Sequence, residues 1–283
     1  MLGAMIGDVI GSIYEFQGIK VKNFVLLTKR SSYTDDSIMT VAVGNALLET
    51  KKDLTNLRSV TIKWMKFLAK IYPFAGYGSQ FKRWVFEDDP KPYDSFGNGA
   101  GMRVSACGIV ASTLKEAKAL SRAVTDISHN HPEGIKAAET IAVAVYLLRQ
   151  GKDKAYLKTY IQKHYYPLNF TLAEIRPTYR FNERAQDSTP QAIVAFLEST
   201  SFEDAIRNAV SLGGDADTLA AMTGALAAEY YGIPIAILEP VYRKLDGLLK
   251  GYVDQFNKKY PFKVEGVKAK EKSVNRTRLR KGR

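Results

Sequence analysis

The stretch SLGGDADTLAAMTGALAAEYYG, residues 211–232, places Asp215 and Asp217 between a pair of glycines and a long Ala-rich helical pattern. A helix start has unpaired N–H groups and a partial positive charge, so one acid there is stabilising by roughly 0.3–1 kcal/mol. Two acids and Thr218 exceed what a cap uses. Ala220, Ala221, Gly224, Ala225, Ala227 and Ala228 follow them. Side chains that small let helices approach closely, which predicts acids at the mouth of a packed bundle. Carboxylates in such a place need a cation nearby, or their pKa values rise.

Helical spacing recurs through the rest of the chain. Residues 39–49, 58–70 and 114–128 repeat apolar side chains at three- and four-residue steps. PEGIKAAETIAVAVYLLRQG has Pro132 at its start and Gly151 past its end, the asymmetry expected of a helix. Further helices are expected over TPQAIVAFLES, SFEDAIRNAVSL and EPVYRKLDGLLKGYVDQFNKKY. No set of alternating strands, fixed-period repeat or Pro/Gly/Ser-rich linker appears, so residues 1–262 read as one all-α domain.

Composition narrows the chemistry. The 283 residues hold one cysteine, Cys107, and three histidines, His129, His131 and His164. That excludes a disulfide framework and a Cys-based zinc site, and disfavours a His-rich metal site. The nearly apolar stretch AAETIAVAVYLL, only 12 residues long and carrying Glu139, is too short to span a bilayer. The N-terminus lacks a basic n-region and Asp8 interrupts its apolar run, so no signal peptide is expected. The reading is a soluble cytoplasmic protein with no membrane partner. The formal charge of +12 is uneven, because residues 263–283 hold nine Lys/Arg against two Glu. That segment reads as a flexible, solvated tail able to contact nucleic acid or another polyanion.

Loops carried on a rigid bundle are where function concentrates. Thr34, Asp35 and Asp36 precede a helix expected from about Ser37, and Asp215, Asp217 and Thr218 open another. Each cluster taken alone is compatible with helix capping. Both together offer hard oxygen ligands, for which Mg²⁺, Mn²⁺ or Ca²⁺ is the fitting ion. Four carboxylates with hydroxyls and waters suffice for two such ions roughly 3.5–4 Å apart. An EF-hand fails, because counting from Asp215 the twelfth residue is Leu226.

GDVIGSIYEF adds Asp8 and Glu15, with Gly3, Gly7 and Gly11 at the four-residue steps of a close helix contact. Glu15 reads either as a surface acid or as a fifth carboxylate for the same centre. Ile13, Tyr14 and Phe16 are expected to hold its backbone against the core. SFGNGAGMR is either a plain turn or a cradle whose N–H groups meet a diphosphate, with Arg103 to pair with it. His129 and His131 read as ligands or, more commonly, as capping and packing residues.

Taken together, GAMIGDVIGSIYEF, YTDDSIMT, GYGSQFKRW, SFGNGAGMRV, HNHPEGIKAAE and AIRNAVSLGGDADTLAAMTGALAAEYYGIP resemble, in family order, the ADP-ribosylglycohydrolase family, which includes dinitrogenase reductase-activating glycohydrolase. The resemblance implies an orthogonal all-α bundle with two Mg²⁺ ions in a cleft, Mn²⁺ being able to substitute. By position it makes Thr34, Asp35, Asp36, Asp215, Asp217 and Thr218 the metal ligands. It puts Glu15 near the metals and the scissile ribose, Gly97, Asn98, Gly99 and Met102 in the substrate loop, and His129 beside ADP-ribose. Asp36 or Asp215 would accept the proton of the attacking water. The expected activity is Mg²⁺-dependent release of ADP-ribose from a modified macromolecule, a protein first. The alternatives are hydrolysis of a small ADP-ribose conjugate, or a silent binder of ADP-ribose or of a toxin. The stretch from Leu168 to Asp187 matches no motif of the family, which leaves the chemistry of EIRPTYRFNERAQ (174–186) open.

Overall fold

The structure is a computed structural model and describes residues 1–266. The chain starts with α1 (Leu2–Gly11), α2 (Asp35–Glu49), α3 (Leu54–Ile71), α4 (Ser79–Phe86) and α5 (Gly99–Met102). It continues through α6 (Ser105–Val110), α7 (Leu114–Thr125), α8 (Pro132–Arg149), α9 (Lys154–His164) and α10 (Leu172–Ile175). The last five are α11 (Ala185–Leu197), α12 (Phe202–Val210), α13 (Ala216–Tyr230), α14 (Ile235–Lys244) and α15 (Gly247–Lys259). Among the described residues the only β pairing is two isolated bridges, Gly97 with Arg184 and Ile233 with Val264. The fold is all-α, as the periodicity requires.

At the centre α1 crosses α13 with their backbones in contact. Every residue of α1 is buried, and so is every residue of α13 from Ala216 to Glu229, so neither helix has a polar face to turn outward. The glycine stripe explains the approach. A Cβ on Gly7 would lie 1.9 Å from the Ala220 carbonyl oxygen, one on Gly3 2.2 Å from that of Gly224, and one on Gly11 2.5 Å from the Asp217 Cα. No side chain fits between the helices there.

Three expected boundaries move. Helix α2 begins at Asp35, because the Thr34 hydroxyl accepts the Asp36 N–H and makes Thr34 the cap. Helix α11 begins at Ala185 and runs through Pro190, its start fixed where the Ala185 N–H donates to the Phe96 carbonyl at 2.9 Å. The helix read from Glu239 to Tyr260 is two, broken at Leu245 and Asp246, and Asp246 caps α15 by accepting the Leu249 N–H at 2.9 Å. Past residue 262, Ile233 exchanges backbone hydrogen bonds with Lys263 and Glu265 at 3.0 and 3.1 Å. The rest of the basic tail, from Val267, lies outside the described residues. None of the described helices is long and apolar enough to cross a membrane.

Candidate active site

Helix α1 turns out at Gly11 and leads into residues 12–17; α2 and α13 both start at one end of the bundle. Their junction is a cleft of about 690 Å³. Lining it are Glu15, Thr34, Asp35 and Asp36, the loop residues Gly97, Asn98, Gly99 and Met102, and His129, Asp215, Asp217 and Thr218. Two acid clusters about 180 residues apart in sequence thus share one floor.

Oxygens of Asp8, Asp36 and Asp217 lie within 4.8 Å of one another, and so do oxygens of Glu15, Asp215 and Asp217. Asp217 belongs to both groups. Asp35 borders the cleft without joining either. Its N–H donates to the Ala75 carbonyl at 2.8 Å, which fastens it to the loop before α4. Asp215 occupies the cap position of α13, yet its side chain makes no capping bond. Its carboxylate instead accepts from Asn98 Nδ2 at 2.6 Å. Capping therefore does not account for Asp215. Thr218 donates to Asp36 Oδ2 at 3.3 Å, while Asp36 Oδ1 is buried with no partner among the described residues.

Among the described residues none of these carboxylates has a lysine or arginine ion pair. Burial, reinforced by the neighbouring acids, pushes Asp35 up to about 8 and Glu15 to about 7, and holds Asp36 and Asp217 well above the usual carboxylate range. Burial also raises Asp215. Asp8 rises only to about 6, because hydrogen bonds from Ser37 and Thr34 oppose its desolvation. An orphaned carboxylate oxygen amid uncompensated acids is the donor set of a hard divalent cation. The residues fit such an ion, with Asp217 common to the Asp8–Asp36 group and to the Glu15–Asp215 group.

Several expectations change on inspection. Phe16 is 80% exposed and does not hold Glu15 against the core; its ring packs on Phe181 at 5.5 Å. Arg103 is buried where it borders the cleft: it donates to Ser128 Oγ at 2.8 Å and its guanidinium lies over the Phe81 ring, so these contacts hold it in the cleft wall. His131 caps α8 through its Nδ1, which accepts the Glu133 N–H, whereas His129 borders the cleft.

Residues 181–184 were opaque in the sequence and form one wall of the cleft. The Glu183 carbonyl accepts the Asn98 N–H at 2.8 Å, which braces the glycine loop against this wall. Behind it, Lys20 donates to the Tyr179 and Leu212 carbonyls. No local pattern announces this wall, since its role comes from a partner loop about 85 residues away. Asp8 was visible, but its proximity to Asp36 was not.

Fold and site together define an all-helical protein with a carboxylate-floored cleft suited to divalent ions. Residues 1–262 match the family model for ADP-ribosylglycohydrolase, and the chain belongs to that family. It is similar to the ADP-ribosylhydrolase ARH3 of Homo sapiens, 25% identical over 82% of this chain and 84% of the relative. The ADP-ribosylarginine hydrolase Tri1 of Pseudomonas putida (strain GB-1) is 23% identical, covering 82% of this chain and 70% of its own. A solved structure described as an ADP-ribosylglycohydrolase-related protein complex shares the fold, with a TM-score of 0.66 at 22% identity over 91% of this chain and 95% of that one. The chain is accordingly a glycohydrolase acting on ADP-ribose conjugates.

Proposed function

We propose that this enzyme hydrolyses the glycosidic bond between ADP-ribose and a modified protein, with two Mg²⁺ ions, or Mn²⁺ in their place, at the carboxylate floor. The observation that carries the reading is the buried Asp36 Oδ1, without a partner among the described residues, amid acids that no basic side chain of those residues neutralises. The ions would be held by Thr34, Asp35, Asp36, Asp215, Asp217 and Thr218; bound there, they supply charge that organises ribose hydroxyls and acidifies water.

The chain's own residues divide the remaining work. Cleavage of the anomeric bond builds oxocarbenium character at the ribose, which nearby carboxylates favour. Asp36 or Asp215 would accept the proton of the attacking water, and Glu15, half-buried at the edge of the floor, would act beside the scissile ribose. Asn98 fixes Asp215 and, with Gly97, Gly99 and Met102, forms the loop against which the sugar-nucleotide lies. ADP-ribose is then the released product. The buried, unpaired Cys107 suits a reducing compartment such as the cytoplasm. The basic residues beyond 266 would serve to find a polyanionic target such as nucleic acid.

The test is incubation with defined arginine-, serine- and nucleic-acid-linked ADP-ribose, with EDTA and then with Mg²⁺ or Mn²⁺ restored. Release of ADP-ribose from a protein-linked substrate, lost with EDTA and regained with metal, is expected. Release unaffected by EDTA, or from small conjugates alone, overturns the reading.

A further inference from the structure

His129 is buried among polar groups that fix more than its position. Its Nδ1 lies 2.9 Å from Ser128 Oγ and 3.5 Å from Arg103 Nη2, and the same Nη2 donates to Ser128 Oγ at 2.8 Å. A guanidinium only donates, so Ser128 Oγ is the acceptor in that contact. The Ser128 hydroxyl proton then has one acceptor within reach among the described residues, the Nδ1 lone pair. The opposite arrangement would aim an Nδ1–H toward the N–H of Arg103 and leave the buried hydroxyl proton without a partner, a cost of about 1–3 kcal/mol. A protonated ring would set the same two N–H groups against each other. Burial and the Arg103 charge push the His129 pKa well below its usual value, in line with a neutral ring. Tyr93, edge-on at 5.8 Å, and Phe81 at 6.4 Å restrain the ring plane.

The other ring nitrogen faces the substrate loop. Nε2 would be 3.3 Å from a Cβ on Gly99 and 3.6 Å from one on Gly97. The absence of side chains at these two glycines is what leaves that edge open to the cleft.

We propose that Arg103 and Ser128 are positioning residues that lock His129 as the neutral tautomer protonated on Nε2, so that it presents a fixed hydrogen-bond donor to an acceptor oxygen of the bound sugar-nucleotide. The assignment excludes His129 as a metal ligand through Nε2 and as a proton acceptor in the reaction, because that nitrogen already carries its hydrogen. The identity of the ligand rests on the proposed function; the tautomer does not.

The experiment uses the full chain with ¹⁵N-labelled histidine and reads the ring nitrogens by long-range proton–nitrogen correlation. His131→Gln and His164→Gln assign the His129 signals. Between about pH 6 and 9 the wild-type ring is expected to show a pyridine-type Nδ1 and a pyrrole-type Nε2 without titrating. A protonated Nδ1, or a doubly protonated ring at neutral pH, overturns the proposal. Wild-type protein suffices for that reading, so it does not depend on any variant folding. Ser128→Ala should shift the tautomer balance and weaken ADP-ribose binding by about tenfold, one hydrogen bond's worth. Gly99→Ala should weaken binding while leaving the tautomer signals in place. Unchanged affinity in both variants, with the wild-type tautomer as expected, would show that the donor meets no ligand oxygen. Absence of any ADP-ribose binding by wild-type protein would refute the proposed function and leave the tautomer standing.

Discussion

Asp8 accepts both polar groups of Thr34, the backbone N–H at 2.9 Å and the hydroxyl at 2.7 Å. It also takes the Ser37 N–H at 3.0 Å and the Ser37 hydroxyl. A carboxylate on α1 thereby clamps the first turn of α2, and the two helices present their acids to α13 as one unit. The geometry depends on α1 lying against α13 without intervening side chains.

Gly7 is therefore the position where one methyl group should do most damage. Its Cβ would overlap the Ala220 carbonyl oxygen at 1.9 Å, and backbone on both sides leaves nothing flexible to yield. Overpacking typically costs about 1–3 kcal/mol, and a backbone clash sits at the upper end. Gly7→Ala should lower the unfolding free energy by that amount and weaken Mg²⁺ binding more than tenfold, since Asp8 moves with the helix. Chemical denaturation and metal titration check the two effects separately.

Asp217 belongs to both acid groups, so stability and function should part company there. Without metal, Asp217→Asn removes a charge that burial and its neighbours disfavour. The metal-free melting temperature should rise by roughly 2–4 °C for each kcal/mol of repulsion relieved, while the rise produced by Mg²⁺ and the turnover both disappear. Full turnover in Asp217→Asn or Asp217→Ala, measured with circular dichroism to show intact helices, would remove Asp217 from the centre.

The raised carboxylates also set the sign of a pH effect. Asp8, Glu15 and Asp35 titrate near 6, 7 and 8 in the folded, metal-free chain, against about 4 when unfolded. Across that window the folded protein holds protons that the unfolded chain has released, so their contribution to stability is present at low pH and lost as pH rises. Divalent ions take the place of those protons. The Mg²⁺-induced rise in melting temperature should be larger at pH 8 than at pH 5.5. Thermal scans with and without Mg²⁺ at both values check this, and taking the difference cancels groups that do not sense the metal. An equal or smaller rise at pH 8 would contradict the assignment.

Glu15 differs from the buried acids in being only half covered. Glu15→Gln keeps its shape and removes its charge. Turnover should fall at least about 100-fold, close to 2.7 kcal/mol of barrier, with ADP-ribose affinity changed by less than about threefold. Steady-state kinetics beside calorimetric ADP-ribose titration separates the two. Near-normal turnover would return Glu15 to the role of a surface acid.

The basic tail should be dispensable for chemistry. Deleting Lys268 to Arg283 is expected to leave hydrolysis of a small ADP-ribose conjugate within a few-fold of the intact protein. Any affinity of the intact chain for duplex DNA should fall by roughly 0.9 log units per log unit of salt for each phosphate neutralised. Loss of small-substrate activity on truncation would tie the tail to the active site.

The sequence by itself determined the helical class, the two Thr/Asp clusters and the glycine stripe. These are local signals: periodicity, cap chemistry and the spacing of small side chains repeat within one or two turns. It also made Asp215 suspicious, because a helix start uses one acid and this one has two. Where the clusters meet was decided by tertiary packing alone. Asp36 and Asp217 share a site because Gly7 and Gly11 let α1 lie on the α13 backbone, a distance that no spacing along the chain encodes. The wall at 181–184 was illegible for the same reason, since the Glu183 carbonyl acts through Asn98. The contacts of Arg103 were not legible either, because a lone arginine beside glycines looks the same exposed or buried. Only packing sets its guanidinium over the Phe81 ring and against Ser128, with His129 beside it at the cleft wall.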